Sequence, residues 1–484
     1  MTLGQLIAGE APLPPGAERL SVTGLTADSR AVTPGVVFAA LPGSSVDGAA
    51  FIPQAVAAGA VAVLAGEGAE AAGAPLIACA NPRRLFARMA ARFYGRQPEI
   101  IVAVTGTSGK TSVASFVREI WTSMGFRAAS LGTVGVVSPA GTRELQHTTP
   151  DAMTLQEIAA GLSDDHVDHL AIEASSHGLD QYRLDGMRIA AAGFTNLSHD
   201  HLDYHPSIEA YFDAKMRLFE ELLLPGGAAV INVDTARGVE AAERARARGH
   251  DVWSVGETGH SIRILTVTRD ASGQHVTVEV KGQRHAIDLP LVGDFQVSNA
   301  LIAAGLVMAT GGDARLVMHA LQSLKGARGR LELVARTATG APVFVDYAHK
   351  PDALENALRS LRPYTKGKLH VVFGCGGDRD RAKRPIMGEI ATRLADRVYV
   401  TDDNPRNEEP AAIRAAIMAA APGAVEIGNR GAAIRAAVDA LEAGDVLMVA
   451  GKGHEEGQKI GKLVLPFSDH EAVKAAIEGR DDHG

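Results

Sequence analysis

Apolar residues along this chain gather in short runs that end abruptly in polar ones, and Ile100 to Val104 is the most informative run. It leads directly into Thr105-Gly106-Thr107-Ser108-Gly109-Lys110-Thr111, so a buried strand followed by a glycine loop is predicted. Beyond the loop the period changes. Val113, Phe116, Val117 and Ile120 share one helical face and Gly125 supplies a stop, which predicts an amphipathic helix.

The same alternation divides the chain into three blocks. Residues 1–98 hold the runs Val36 to Gly43 and Ala60 to Gly66, a short helix in FIPQAVAAGA, and an Arg-rich helix from Pro82 to Tyr94, which predicts a small α/β domain. Residues 99–336 contain the glycine loop, then strands ending at Leu170-Ala171-Ile172 and in AAGFTN. A helical pattern from Tyr211 to Phe219 follows, then period-two alternation from Ile262 to Val280 with a turn at Ser272-Gly273, then a helix starting near Gln296 to Asn299. In residues 337–484, PVFVDYAHKPDAL, LHVVFGCGGDRD, RVYVTDDNPR and DVLMVAGKGHEE each place a charged loop directly after a strand. Strand–helix alternation of this kind predicts an α/β protein of three domains: a central P-loop-type ATPase domain with a parallel sheet, and a C-terminal Rossmann-like domain.

Composition narrows the classes of function. The chain has 484 residues, 46% apolar and 21% charged, with a formal charge of −8, so no basic excess points to nucleic acid or an anionic membrane. It has no run of 18 apolar residues and no basic, apolar leader at MTLGQLIAGE, so a cytoplasmic protein without membrane insertion is expected. Cys79 and Cys375 lie far apart and form neither a disulfide framework nor a metal-binding pair.

The glycine loop carries the first chemistry. Gly106 and Gly109 let backbone amides turn towards phosphate oxygens, with Thr107, Ser108 and Ser112 around them. Lys110 adds charge for the β and γ phosphates, and Thr111 offers a hydroxyl to Mg²⁺. The common P-loop has a glycine where this chain has Val104, so the loop is a shorter form, TGTxGKT. ATP binding is expected.

Other clusters admit two readings. Glu173, with Asn196, His199, Asp200, His201 and His205, ends strands of the central block, so Glu173 and His201 are candidates for Mg²⁺; a histidine cluster also suits zinc, but HDHLDYH lacks the helical HExxH spacing. Away from the loop, His199 and His205 would pass as surface histidines, and Lys215 as a residue on a solvated helix face. The turn Thr26 to Arg30 reads as a helix cap or as a cradle for an anion. Gly374 to Gly377 resembles a dinucleotide fingerprint only weakly, because Asp378 and Asp380 would crowd a pyrophosphate.

Taken together, TGTSGKT, EASSHGLDQYR, HDHLDYH, GRLE, DYAHKPDAL, GCGGDRD, DDNPR and AGKGHE resemble, in this order, the motifs of the Mur ligases that build the peptidoglycan stem peptide. The resemblance spans all three blocks and is nearest to the branch that adds meso-2,6-diaminopimelate. It implies a UDP-substrate-binding domain at 1–98, an ATP-binding domain at 99–336 and an amino-acid-binding domain at 337–484. It further implies ATP-dependent amide formation on the D-Glu γ-carboxylate of UDP-MurNAc-L-Ala-D-Glu through an acyl phosphate, by a monomer.

Residue by residue, the resemblance implies that Thr111, Glu173, His201 and a carbamylated Lys215 hold Mg²⁺, with Lys110 on the phosphates. Asn299, Arg330, Asp346 and His349 match nucleotide-side positions. Ser29, Ser44 and Ser45 match the uridine end, and Thr148, Thr149, Ser175, Gln181 and Arg183 the muramoyl dipeptide. For the incoming amino acid it implies Arg379, Asp403, Asn404, Pro405, Arg406, Gly451 and Glu455. Diaminopimelate carries a second carboxylate that lysine lacks, and Arg406 offers a bidentate donor for it, although DDNPR also reads as a turn closed by an ion pair. His147 and Gln296 depart from the asparagines usual at their positions, and both keep hydrogen-bonding ability. A sister ligase is disfavoured by DNPR and DSR, a plain P-loop phosphotransferase by the third block, and a silent binding protein by the presence of Lys110, Glu173, His201 and Lys215.

Overall fold

Four short parallel strands begin the chain: β1 (Gly24–Thr26), β2 (Val36–Ala40), β3 (Ala62–Gly66) and β4 (Leu76–Cys79), in that spatial order. They come from a computed structural model that describes residues 1–43, 47–70, 72–198, 200–201, 204–270 and 273–479. The Arg-rich helix runs from Pro82 to Tyr94, capped by Asn81 and ended by Gly95, as its sequence pattern predicts. It buries Leu85, Phe86, Met89 and Ala90 against Leu3, Leu6, Val37 and Leu64 and leaves its arginines outward or half-buried.

The chain divides into two compact units: Met1–Arg263 with Leu301–Val317, and Ile264–Ala300 with the residues from Met318 onward. In the first unit the main sheet comprises β5 (Ile100–Thr105), β6 (Ala128–Gly132), β7 (Gly135–Ser138), β8 (Gly141–Arg143), β9 (His169–Glu173), β10 (Ile189–Phe194), β11 (Leu223–Asn232) and β12 (Asp251–Gly256). Their order is β12-β11-β10-β5-β9-β6-β7-β8, and only the β6-β7-β8 end is antiparallel. The chain leaves β5 for one side of it, through β6 and β9, and later returns on the other side as β10. A topological switch point therefore falls at the carboxyl end of β5, where open α/β sheets bind ligands. Strands buried on both faces explain the unbroken apolar run: Ile101, Val102, Ala103 and Val104 are all buried.

The boundary between units falls within β13 (Ile262–Asp270). In the second unit β14 (Gly273–Val280) and β15 (Gln283–Leu289) form an antiparallel hairpin. The predicted turn residue Ser272 lies outside the described residues. The helix expected near Gln296 starts earlier, at Asp294, whose carboxylate pairs with Arg269.

The second unit's six-stranded sheet contains β16 (Glu332–Arg336), β17 (Pro342–Asp346), β18 (Leu369–Phe373), β19 (Arg397–Val400), β20 (Val425–Glu426) and β21 (Val446–Ala450), ordered β16-β17-β21-β18-β19-β20. Every pairing except β16-β17 is parallel. Apolar layers cover both faces, one built on Phe344, Val371, Phe373 and Met448, the other on Val343, Val345, Val372 and Val449. The loops after β17, β18, β19 and β21 consequently share one edge. A short hairpin, β22 (Gly457–Ile460) and β23 (Leu463–Pro466), follows β21.

Candidate active site

The phosphate loop is held by its neighbours on both sides. Register pairs Val104 with Glu173 on β9, and Thr105 with Phe194 on β10, so the residues ending those strands flank the loop. Asn196 accepts the Thr107 amide on its carbonyl at 2.9 Å and the Ser108 amide on Oδ1 at 3.1 Å. Thr195 Oγ1 donates to the Ser108 carbonyl at 2.6 Å. Gly106, at φ 148°, passes so close that a Cβ would lie 1.9 Å from Thr195 Oγ1. Gly109, at φ 89°, caps the helix Lys110–Ser123, which carries the predicted apolar face and buries Thr111 and Ser112 in its first turn.

Thr111 Oγ1 donates to Glu173 Oε2 at 3.0 Å. Glu173 is 2% exposed, and its Oε1 also accepts the Thr133 amide at 2.7 Å. Lys110 Nζ donates to the carbonyls of Gly106 and Thr107, both at 2.8 Å. Among the described residues no three His, Cys, Asp or Glu side chains form a metal-holding group by themselves.

Lys215 is not on a solvated face. It lies on the helix Ile208–Arg217, is 1% exposed, and its Nζ donates to the Gly106 carbonyl at 2.8 Å. Ala214 and Met216 on either side of it are buried too, and the position turns inward, under the loop. Its Nζ also sits 4.2 Å from the centroid of the Tyr211 ring, and the Tyr211 hydroxyl bonds to Thr107 Oγ1 at 3.2 Å. Burial, then the charge of Lys110, hold the Lys215 amine well below the ordinary lysine range, with Asp200 opposing. Burial pushes the Tyr211 phenol up to about 12. His201 adopts φ 54° and places Nε2 3.6 Å from Asp200 Oδ2, with ring centroids 5.0 Å from His177 and 6.0 Å from Tyr211. His205 is buried rather than on the surface, and His199 lies outside the described residues.

The positions matched to the muramoyl dipeptide form one polar cluster. Thr148 Oγ1 lies 3.1 Å from Thr133 Oγ1, Thr149 Oγ1 donates to the Glu173 carbonyl at 2.7 Å, and Ser175 caps the helix Ser176–Asp180. Arg183 donates to the Thr149 carbonyl at 2.6 Å and to Gln181 Oε1 at 2.7 Å. At the amino end, Ser29 opens a one-turn 3₁₀ helix closed by Asp28 and Arg30, 2.8 Å apart, which is the cap reading of that turn. Ser44 and Ser45 lie outside the described residues. His147 is exposed.

In the second unit, Asn299 is buried and donates to Gln296 Oε1 at 3.2 Å, so the glutamine pairs with a neighbouring site position. The Arg330 guanidinium lies 4.9 Å from the Tyr347 ring centroid, and its Nε is buried without a hydrogen-bond partner among the described residues. Asp346 Oδ2 accepts the Leu331 amide at 2.7 Å, and burial raises its carboxyl despite the nearby Arg330. His349 Nδ1 is 2.8 Å from the Tyr347 carbonyl oxygen, and burial lowers its pKa.

The loops after β18, β19 and β21 converge. Arg406 donates to the Gly377 carbonyl at 2.9 Å and crosses Gly376, whose missing Cβ would lie 2.7 Å from Arg406 Nη1 and 3.9 Å from Arg379 Cγ. A salt-bridged turn is thus not what fixes Arg406: its partners are carbonyls. Asp403 and Asn404 are each 5% exposed, Pro405 is buried, and Asn404 Nδ2 donates to Glu455 Oε2 at 2.8 Å. Gly451 makes the close approach possible, since a Cβ there would lie 2.6 Å from Asp403 Oδ2.

Tyr211, Thr133 and Thr195 escaped the sequence analysis. Tyr211 stands four residues before Lys215, one turn along the same helix, which is a signal for it once Lys215 is suspected. Thr133 follows a strand that carries no motif, and only the β6-β9 pairing brings it to Glu173.

Residues 21–94 match the Mur ligase family catalytic domain, residues 104–307 the Mur ligase middle domain, and residues 329–453 the Mur ligase glutamate ligase domain. UDP-N-acetylmuramoyl-L-alanyl-D-glutamate--2,6-diaminopimelate ligase of Bradyrhizobium diazoefficiens is 57% identical over 484 residues, covering 99% of this chain and 100% of the relative. The enzyme of the same name from Caulobacter vibrioides is 54% identical over 467 residues, covering 95% of this chain and 96% of its own. A solved structure of a UDP-N-acetylmuramoyl-L-alanyl-D-glutamate--2,6-diaminopimelate ligase superposes with a TM-score of 0.75 at 32% identity, over 99% of both chains. MurF from Acinetobacter baumannii shares the fold, with a TM-score of 0.62 at 19% identity over 99% of both chains. Matched along nearly its whole length and by relatives more than half identical to it, the chain belongs to the Mur ligase family.

Proposed function

We propose that the chain joins meso-2,6-diaminopimelate to the D-Glu γ-carboxylate of UDP-MurNAc-L-Ala-D-Glu at the expense of ATP, as a cytoplasmic monomer in peptidoglycan precursor synthesis. In this reading residues 1–98 bind the UDP substrate, 99–336 bind ATP and 337–484 bind the amino acid. The observation that carries it is the assembly of Lys110, Thr111, Glu173 and Lys215 on one glycine loop, in a chain whose full-length relatives bear that ligase's name.

A carboxylate is a poor electrophile, so the γ-carboxylate takes the γ-phosphoryl group from ATP to give an acyl phosphate and ADP, and the amine then attacks its carbonyl, forming the amide as phosphate and a proton leave. Lys110 and the amides of the loop and helix N-terminus neutralise the phosphates while the γ-carboxylate approaches. The donor set fits Mg²⁺: the hydroxyl of Thr111 and the buried carboxylate of Glu173 lie 3.0 Å apart beside the phosphate loop, with His201 and a carbamylated Lys215 as further ligands. When bound, Mg²⁺ supplies charge that offsets repulsion between the two anions. Arg183, Gln181, Ser175, Thr148 and Thr149 orient the dipeptide, and Ser29, Ser44 and Ser45 the uridine end. Asn299, Arg330, Asp346 and His349 serve the nucleotide. Arg406 and Arg379 bind the carboxylates of diaminopimelate, while Asp403, Asn404, Pro405, Gly451 and Glu455 form the remaining wall around its amino groups.

The test is incubation of the protein with ATP, Mg²⁺ and UDP-MurNAc-L-Ala-D-Glu, adding meso-diaminopimelate or L-lysine in parallel and weighing the UDP-linked product. Product with diaminopimelate alone is expected. Equal product with lysine would overturn the role of Arg406, and none with either would overturn the ligase assignment.

A further inference from the structure

Lys452 is fully buried, so it touches no ligand, yet it ties the loop after β19 to the loop after β21 in the amino-acid pocket's wall. Its Nζ donates to the Gly457 carbonyl at 2.7 Å and to Asn404 Oδ1 at 3.2 Å, and lies 3.6 Å from Asp403 Oδ1 and 3.9 Å from Glu455 Oε2. Asp403 Oδ1 is buried and has no hydrogen-bond partner among the described residues, so the nearby charges of Lys452 and Arg430 are what compensate it.

The contacts continue outward from there. Asn404 Oδ1 also accepts the Lys459 amide at 2.8 Å, and Asn404 Nδ2 donates to Glu455. The Arg406 amide donates to the Lys459 carbonyl at 3.0 Å, and the Gly461 amide to the Arg406 carbonyl at 2.7 Å. Asn404 at φ 43° and Arg406 at φ 54° both occupy the left-handed region, which asparagine tolerates but arginine rarely adopts unless its surroundings impose it. Beside them Arg430, held by both oxygens of Asp469, donates to the Ala450 carbonyl at 2.9 Å and fixes the start of the Gly451 loop.

We propose that Lys452 is a positioning residue for the incoming amino acid: its ammonium locks Asn404 in the left-handed turn that aims Arg406, and holds the Asp403 and Glu455 side chains together facing the ligand's ammonium group. This deepens the reading above and rests on it. Removing the Lys452 charge weakens capture of a diamino diacid and leaves the phosphoryl-transfer half of the reaction intact. Burial lowers the Lys452 pKa, with Arg430 adding to the shift and Asp403, Asp469 and Glu455 opposing it.

The experiment compares wild type, Lys452→Met and Lys452→Gln in the full-length protein by two readouts. One is label exchange between ADP and ATP dependent on UDP-MurNAc-L-Ala-D-Glu, which needs no amino acid and reports a folded first half-reaction. The other is the set of KM values for the three substrates together with kcat. For Lys452→Met the expected result is at least a tenfold rise in KM for diaminopimelate, with exchange, kcat and the other two KM values within threefold of wild type. Lys452→Gln, which keeps a donor, should fall between. A KM for diaminopimelate within twofold of wild type, equal rises in all three KM values, or loss of exchange in both variants would overturn the proposal. Wild type that exchanges label but makes no diaminopimelate product would overturn the parent reading instead.

Discussion

Lys110 Nζ and Lys215 Nζ donate to one and the same carbonyl oxygen, that of Gly106, each at 2.8 Å. Two ammonium groups on one acceptor repel, and burial already disfavours charge on Lys215, so that side chain is the one that yields its proton. A neutral amine is the form that attacks CO₂: the N–C bond forms as one C=O π pair moves to oxygen, a proton leaves nitrogen for solvent, and a carbamate anion takes the place of the neutral amine beside Lys110. With ¹³C-bicarbonate, a carbamate resonance is expected in wild type and absent in Lys215→Met, stronger as pH rises and the amine deprotonates. Product formation in that variant should fall at least about 100-fold. A wild-type spectrum without the resonance would remove the carbamate from the site.

Glu173 is the buried carboxylate of the loop, shared among Thr111 and Thr133 donors. Glu173→Gln keeps its shape and loses its charge. The Mg²⁺ concentration giving half-maximal activity should rise at least about tenfold, with little change in Tm, because the amide retains hydrogen-bonding capacity. An unchanged Mg²⁺ titration would exclude Glu173 as a ligand.

Arg406→Lys retains a positive charge but not the planar fork. The ratio of kcat/KM for diaminopimelate over lysine is expected to fall by about 10- to 100-fold, that is, about 1.4 to 2.7 kcal/mol of discrimination. Preservation of the ratio would place the selecting cation elsewhere.

His454 is held down to about 4, chiefly by burial and then by Arg330. A base with a folded pKa below its unfolded value of about 6.5 binds protons preferentially in the unfolded chain, so stability falls as pH drops from about 6.5 to about 4. The contribution reaches about 3 kcal/mol at the bottom of that window. Thermal unfolding of His454→Gln across pH 4 to 7 should therefore give a flatter Tm profile than wild type, and parallel profiles would rule the histidine out as the titrating group.

Much of this was legible because strand ends carry both the fold and the chemistry. The apolar run into Thr105-Gly106 and the helical face from Val113 gave strand, loop and helix, although the periodicity alone did not show that the helix begins at Lys110. Lys215 was not legible from periodicity. The pattern Tyr211 to Phe219 is amphipathic in composition, and only the tertiary placement of that helix puts Lys215 on its inner side. Thr133 was invisible, and Lys452, though inside the AGKGHE motif, had no role read for it, for a related reason: they act on Glu173 and Asn404 across 40 and 48 residues of chain, and a local pattern records nothing of a distant partner.

β5 pairs with strands that begin at His169 and Ile189, and the loop after β5 is braced by Asn196 and Ser198. During synthesis, the whole TGTSGKT segment therefore emerges from the ribosome 62 residues before its Glu173 partner on β9 and more than 80 residues before Asn196 and Ser198. A nascent chain ending near residue 150 contains every letter of the motif and none of the braces after Thr149, so it has no cradle to offer a nucleotide. The order of residues along the chain delays ATP capture until the central sheet has closed around its middle strand.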